Sequence, residues 1–189
     1  PMDNSKSKKE GVSRTYKGFD GYAPMMAYIG TEGYAINFEL REGKQHCQNG
    51  TVEFLEETVE LCRRLTDKPL LVRLDSGNDS IDNVAVLIDA GCFFIIKRNL
   101  RRESRDGWFE MAKQYCQDIS SPRDGKTVYI GSDWKTASSK RFNRDFTLRA
   151  GYEITERTID KYGQFNLVPE VEVETWWTNL GDPDREIIK

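Results

Sequence analysis

The sequence has little of what a zinc site, a disulfide framework or a membrane span would need. It contains one histidine and four cysteines in 189 residues, and no two cysteines form a Cys-x-x-Cys pair. This set lacks the ligand spacing of a structural zinc site, and we expect reduced thiols in a cytoplasmic protein. No apolar run approaches the ~20 residues of a membrane span, and no secretory signal is visible, so we expect no membrane partner.

Positive charge is not in excess either. The chain carries 28 lysines and arginines against 31 acidic residues, a net charge of −3. The chain as a whole is therefore not a basic nucleic-acid binder, and any affinity for phosphates must come from local patches. An apolar fraction of 38 % excludes wholesale disorder, and the length suits one domain or a domain with a subdomain.

Apolar periodicity predicts an α/β order up to residue 121. Within the predicted hairpin, alternation should place Tyr34, Ile36, Phe38 and Leu40 on an apolar face opposite a polar one. The hairpin is antiparallel, and we expect the later strands to be parallel with right-handed crossovers. The predicted elements are hairpin strands at 22–29 and 34–40, helices at about 51–65, 80–90 and 104–118, and strands at 70–75 and 92–96.

The texture changes after Pro122, where threonine, valine and aromatic residues predict long strands. Three domain segments follow from this change. They are an α/β core over 1–121, a β-rich subdomain over 122–180, and the start of a truncated helix that returns to the core over 181–189.

Asp75 is the most informative residue. It closes the apolar run at 70–74, which Pro69 and Gly77 flank as they would a buried strand. A carboxylate at the carboxyl end of such a strand lies where open α/β sheets bind ligands, and Mg²⁺ prefers carboxylates together with substrate phosphates. The alternative is that Asp75 caps the next helix or bonds the turn, and this segment alone favours neither interpretation.

Several segments, in this order, resemble one group of enzymes. They are Asp3-Asn4-Ser5 with residues 8–12, residues 16–24, Leu40-Arg41-Glu42-Gly43, and Val72-Arg73-Leu74-Asp75-Ser76-Gly77. The chain is similar over nearly its whole length to the DDE transposases of bacterial insertion sequences, in the retroviral-integrase superfamily. The resemblance implies an incomplete ribonuclease H-like mixed sheet with flanking helices, followed by a β-rich insertion subdomain. It also implies metal-dependent DNA cleavage and strand transfer in transposition.

The resemblance assigns Asp75 as the second catalytic carboxylate and a ligand of Mg²⁺ or Mn²⁺. The first would lie in a strand that ends just before Pro1, with Asp3 the nearest acid present, and the third on a helix that begins near Pro183 and continues past Lys189. We therefore expect an internal fragment that is inactive and holds no metal by itself. The family signature Tyr-x-x-Arg-x-x-x-Glu is not found.

The resemblance further implies DNA partners, both element ends and target, and a homodimer in the full-length synaptic complex. Trp176 and Trp177 are candidates for stacking on an unpaired base, with a small aromatic core as the alternative. Two basic segments are candidates for phosphate contact, with solvated surface as the alternative. They are Lys97, Arg98, Arg101, Arg102 and Arg105 in one, and Lys140, Arg141 and Arg144 in the other.

Two non-enzymatic alternatives stay open. In a receiver-like module Asp75 would be a phosphoacceptor, although the predicted hairpin and the β-rich tail argue against the all-parallel sheet this requires. In a DNA-binding accessory domain the basic segments would bind DNA without chemistry.

Overall fold

A computed structural model describes residues 1–188 as a mixed α/β protein with four α-helices in that range. The chain divides into two compact units. The first comprises 1–70 and 82–92, and the second comprises 71–81 and the residues from 93 onward. No helix in residues 1–188 is long and apolar enough to cross a membrane.

The first unit holds two small antiparallel sheets and a long helix. Its elements are β1 (Met2–Asp3), β2 (Ser13–Arg14) and β3 (Asp20–Tyr22) in the order β1-β3-β2, the hairpin of β4 (Met25–Ile29) and β5 (Tyr34–Glu39), α1 (Thr51–Leu65), and most of α2 (Ile81–Asp89).

Helix α1 has the predicted bounds, because Val52, Leu55, Val59 and Cys62 recur at helical spacing and are all buried. The N-cap of α1 is Gly50, with a left-handed φ of 76°, and Thr51 is the first helical residue. The Thr51 hydroxyl donates to the Cys47 carbonyl at 2.6 Å.

The predicted apolar face of the hairpin is reversed. Tyr34, Phe38 and Leu40 are exposed, at 68 %, 52 % and 53 %. The polar row is half-buried instead, because Asn37 donates to Glu57 and Thr58 of α1, at 3.1 Å each. Polar partners on α1 therefore decide which face of β5 turns inward.

The Leu40-Arg41-Glu42-Gly43 segment has a structural role in the first unit. Arg41 is 4 % exposed, and its guanidinium donates to the Glu39 carboxylate at 2.7 Å and to the Cys47 carbonyl at 3.0 Å. At Gly43, a Cβ atom would lie 2.1 Å from the Ser13 carbonyl oxygen, so only glycine permits this approach of the backbones.

The second unit is built on a six-stranded sheet in the order β6-β7-β11-β10-β9-β8. Only β6 and β7 pair in parallel, which confirms that predicted pair, and the other neighbours are antiparallel. The elements are β6 (Leu71–Leu74), a 3₁₀ turn (Ser76–Asn78), β7 (Phe93–Lys97), α3 (Arg105–Tyr115), β8 (Asp118–Arg123), β9 (Lys126–Ser139), β10 (Arg144–Ile159), β11 (Phe165–Thr178) and α4 (Asp184–Ile188).

The strands after residue 122 extend the sheet that β6 and β7 begin, since β11 pairs with β7. Strand β8 runs across the predicted boundary at 121–122. Phe94, Ile96, Ile130 and Ile154 are almost fully buried on this sheet.

Helix α3 is shorter than predicted. Ser104 caps it by accepting from the Gly107 amide at 3.2 Å, and Trp108 and Ala112 are buried. The helix ends at Tyr115, which is 66 % exposed, and Ile119 belongs to β8. The predicted helix end at about residue 118 is therefore about one turn too late.

Candidate functional site

Asp75 lies where the sequence predicts, directly after the carboxyl end of β6, and its side chain is exposed. The Asn78 side-chain amide donates to Asp75 Oδ1 at 2.9 Å. Asp75 occupies the N-cap position of the 3₁₀ turn, but its side chain makes no capping hydrogen bond there. The carboxylate is thus oriented by one amide and faces solvent.

Asp75 follows a strand at the edge of the six-stranded sheet. Strand β6 is the outermost strand, paired on one side with β7 from Leu71↔Phe93 to Leu74↔Ile96. Its other side pairs with no strand among residues 1–188. A further strand added there would place its own carboxyl end next to Asp75 if it ran parallel to β6.

Asp79 joins the Asp75 loop, which we define as residues 75–80, to two other segments. Its side chain is 6 % exposed, and it accepts from Trp177 Nε1 at 3.1 Å and from the Asn99 amide at 2.9 Å. Arg101 Nη2 donates to the Asp79 carbonyl at 2.5 Å. Local sequence patterns do not indicate this role of Asp79, because its partners are 20, 22 and 98 residues away.

These bonds hold the Asp75 loop against the basic loop, which we define as residues 98–105. Asn99 adds a second link through its side-chain amide, which donates to the Ser76 carbonyl at 2.5 Å. Three of the predicted DNA-binding arginines are exposed in this loop: Arg101, Arg102 and Arg105. The structure therefore brings Asp75 and a set of cations to the same end of the two parallel strands.

Arg98 and Trp177 correct the predicted DNA contacts. The Arg98 side chain is 4 % exposed, and it forms an ion pair with Glu103. Its Cζ atom lies 3.9 Å from the centroid of the Trp177 ring, and Trp177 is 5 % exposed. Neither side chain is open to a DNA duplex or an unpaired base, because each covers the other inside the second unit.

Trp176 is half-buried beside Trp177, as alternation along a strand predicts for neighbouring residues. It pairs across the sheet with Lys97, whose ammonium forms an ion pair with Glu174. Trp134, on β9, is 66 % exposed. Trp176 stays a candidate for base contact, although it is less accessible than Trp134.

The second basic segment lies at the other end of the sheet. Lys140, Arg141 and Arg144 are exposed at the turn between β9 and β10. Strand register aligns Lys97 with Trp176 and Trp176 with Gly151. The seven residues from Gly151 back to Arg144 span roughly 23 Å at about 3.3 Å per residue, toward the amino end of β7. The two basic segments therefore do not converge.

Asp3 is exposed in β1 and accepts from the Ser5 amide at 2.9 Å and the Ser5 hydroxyl at 2.7 Å. Both hydrogen bonds lower the pKa of Asp3, and the one from the Ser5 backbone amide has the larger effect. The carboxylate thus serves a local turn in the first unit.

The described residues do not fit a complete metal site. Residues 1–188 contain no group of three or more histidine, cysteine, aspartate or glutamate side chains that could hold an ion. Asp75 with the Asn78 amide provides too few oxygens for Mg²⁺, which keeps six ligands. Burial raises the pKa of the Cys62 and Cys92 thiols, which disfavours thiolate chemistry at these two residues.

A comparison of the chain with protein-family models and with curated proteins gave no match.

Proposed function

We propose that the chain is part of a DDE transposase, an enzyme that cleaves and joins DNA strands with a divalent metal, and that its core is ribonuclease H-like. One observation carries the proposal. Asp75 is exposed at the carboxyl end of an edge strand that pairs in parallel with β7 and, on its outer side, pairs with no strand among residues 1–188. That is the geometry in which a carboxylate from an added neighbouring strand could share a ligand with Asp75.

The order of elements supports the proposal. An antiparallel hairpin, α1, β6, α2, β7 and α3 follow one another along the chain, as the resemblance implies. The parallel pairing of β6 with β7 also agrees with it. The second unit then continues into the long strands β9, β10 and β11, which correspond to the implied β-rich insertion.

The chain's own residues have defined tasks in this proposal. Asp75 is a metal ligand that requires partner carboxylates from outside residues 1–188, and Asn78 orients it through their 2.9 Å hydrogen bond. The exposed arginines of the basic loop bind DNA phosphates near that point. When bound, the metal supplies charge stabilisation at the phosphodiester oxygens.

Cleavage of element-end DNA by the full-length protein in the presence of Mg²⁺ or Mn²⁺ tests the proposal. Asp75→Asn should abolish cleavage while leaving DNA binding intact, since the amide keeps the shape of the side chain but is a poor ligand for a hard cation. The matched control is Asp67→Asn, an exposed residue between α1 and β6, which should retain cleavage. An Asp75→Asn protein that still cut DNA would remove the catalytic assignment.

A DNA-binding module without chemistry is the second candidate, and the exposed arginines of the basic loop support it. It predicts salt-dependent binding to DNA and no metal-dependent cleavage by the full-length protein. A receiver-like module finds less support, since only one pair of strands in the six-stranded sheet is parallel.

A further inference from the structure

The basic loop forms most of the wall of a solvent-open pocket of about 450 Å³ in the second unit. Seven residues line the pocket: Arg98, Asn99, Leu100, Arg101 and Glu103 from the loop, Arg105 at the start of α3, and Val173 from β11. Three of these seven are arginines and one is acidic, so the lining carries an excess of positive charge.

Arg98 is under-satisfied at the floor of this pocket. Its Nε and Nη1 atoms are buried and have no hydrogen-bond partner among residues 1–188. Nη2 alone is bonded, to Glu103. A buried guanidinium loses hydration at every unpaired N–H group, so such a group calls for a water or an ion as partner.

The pocket lining contains one carboxylate, Glu103, against three arginines. Glu103 accepts from Arg98 with one oxygen and from Trp108 Nε1 with the other, at 2.9 Å, and it partly offsets the charge of Arg98. Arg101 lies 3.5 Å from the Asp79 carboxylate. Arg105 is exposed, makes no ion pair with residues 1–188, and opens α3, an eleven-residue helix whose amino end favours anions. Arg105 is therefore the lining cation whose charge no carboxylate among residues 1–188 offsets.

We propose that this pocket is a binding subsite for a phosphate-type oxyanion. Arg105 and Arg101 contact the anion from the rim, and the buried Arg98 supplies positive potential from the floor. The volume exceeds what a phosphate ion fills, which leaves room for a sugar or base attached to it. The identification of the natural ligand as a DNA phosphate rests on the proposed function, whereas the oxyanion chemistry does not.

Calorimetric titration of the purified chain with inorganic phosphate at low ionic strength tests the subsite. Arg105→Ala should weaken phosphate binding about tenfold, because one charge-assisted contact is lost. Arg123→Ala is the matched control, since Arg123 is an exposed arginine at the end of β8 that does not line the pocket. It should change the affinity less than about twofold. If the two variants lose phosphate affinity equally, or if the chain does not bind phosphate at all, the pocket is not an oxyanion subsite.

A second titration distinguishes the sources of the phosphate. A short single-stranded DNA oligonucleotide should displace inorganic phosphate from the chain, and Arg105→Ala should weaken both ligands. If only inorganic phosphate depends on Arg105, the ligand is a free anion and the DNA assignment of the pocket fails. Phosphate binding that depends on Arg105 in a protein that never cleaves DNA would keep the subsite and reject the proposed catalysis. If the full-length protein cleaves DNA but its phosphate affinity does not depend on Arg105, the proposed catalysis is kept and the subsite is rejected.

Discussion

Each of the two units buries one arginine, Arg41 in the first and Arg98 in the second, and their surroundings differ. Arg41 donates to the Glu39 carboxylate, the Cys47 carbonyl and the Thr51 hydroxyl, and its Cζ lies 5.8 Å from the Phe54 ring centroid. Arg41 Nη2 has no hydrogen-bond partner among residues 1–188, but it lies 2.6 Å from Glu39 Oε2 in an ion pair. Arg98 has the Glu103 carboxylate, the face of Trp177, and two nitrogens, Nε and Nη1, without a hydrogen-bond partner.

The difference supports a structural role for Arg41 and the proposed role of Arg98 beside a bound anion. Buried cations stabilise a fold only when their donors are satisfied, because burial removes the water that would otherwise bind them. The oxygens around Arg41 come from Glu39 at the end of β5 and from Cys47 and Thr51 at the start of α1. Arg41 therefore links α1 to β5. Arg98 is stacked and half-satisfied, and it lines a pocket. The two arginines should therefore respond differently to the same substitution.

Arg41→Met should have the largest effect, a loss of about 3 kcal/mol in the free energy of unfolding, because several hydrogen bonds to a charged group disappear together. Urea denaturation followed by circular dichroism measures it. Lys44→Met is the control, since the Lys44 side chain is 72 % exposed, and it should stay within about 0.5 kcal/mol of the unsubstituted chain. Equal stability of the two variants would mean that Arg41 does not fasten α1.

Asp79→Asn should follow, with a loss of about 2 kcal/mol in the free energy of unfolding. An asparagine oxygen could still accept from Trp177 Nε1, but its NH₂ group would then face the Asn99 amide, which now donates to Asp79 Oδ2 at 2.9 Å. Thermal unfolding gives the stability change. Hydrogen exchange at the Asn99 amide reports the loop directly and should become faster.

Asp67→Asn controls for removal of an exposed acidic charge near β6 and should change neither quantity. If hydrogen exchange at the Asn99 amide is unaltered in Asp79→Asn, then Asp79 does not hold the Asp75 loop against the basic loop.

Local patterns predicted the elements well and their partners poorly. Helix α1 was predicted with the correct bounds because its apolar period is a property of 15 consecutive residues. The strand ending before Asp75 was likewise visible from its own apolar run and its flanking residues. Asp75 needs no distant partner to occupy a strand end, so its exposed position could also be predicted.

The errors arise where a distant polar group decides the outcome. The sequence left Trp177 open between base stacking and an aromatic core, and it predicted a phosphate contact for Arg98. The structure buries both side chains, because they stack on each other and Trp177 also bonds Asp79, 98 positions away. The half-buried position of Asn37 on β5 likewise depends on Glu57 and Thr58 of α1, which are 20 and 21 residues further along the chain. Periodicity within one strand contains no information about such partners.

Arg98→Met should cost the least, about 1 kcal/mol or less of unfolding free energy, because removing a half-satisfied guanidinium also removes its unpaired donors. Glu103 tolerates the change, since its side chain is 36 % exposed and can be hydrated. The decisive measurement adds 50 mM phosphate during urea denaturation of both proteins. Phosphate should stabilise the unsubstituted chain more than Arg98→Met, since a ligand that binds only the folded state adds to its stability. A loss as large as that of Arg41→Met, with the phosphate response unchanged, would make Arg98 a structural arginine like Arg41 and leave the pocket without a cation at its floor.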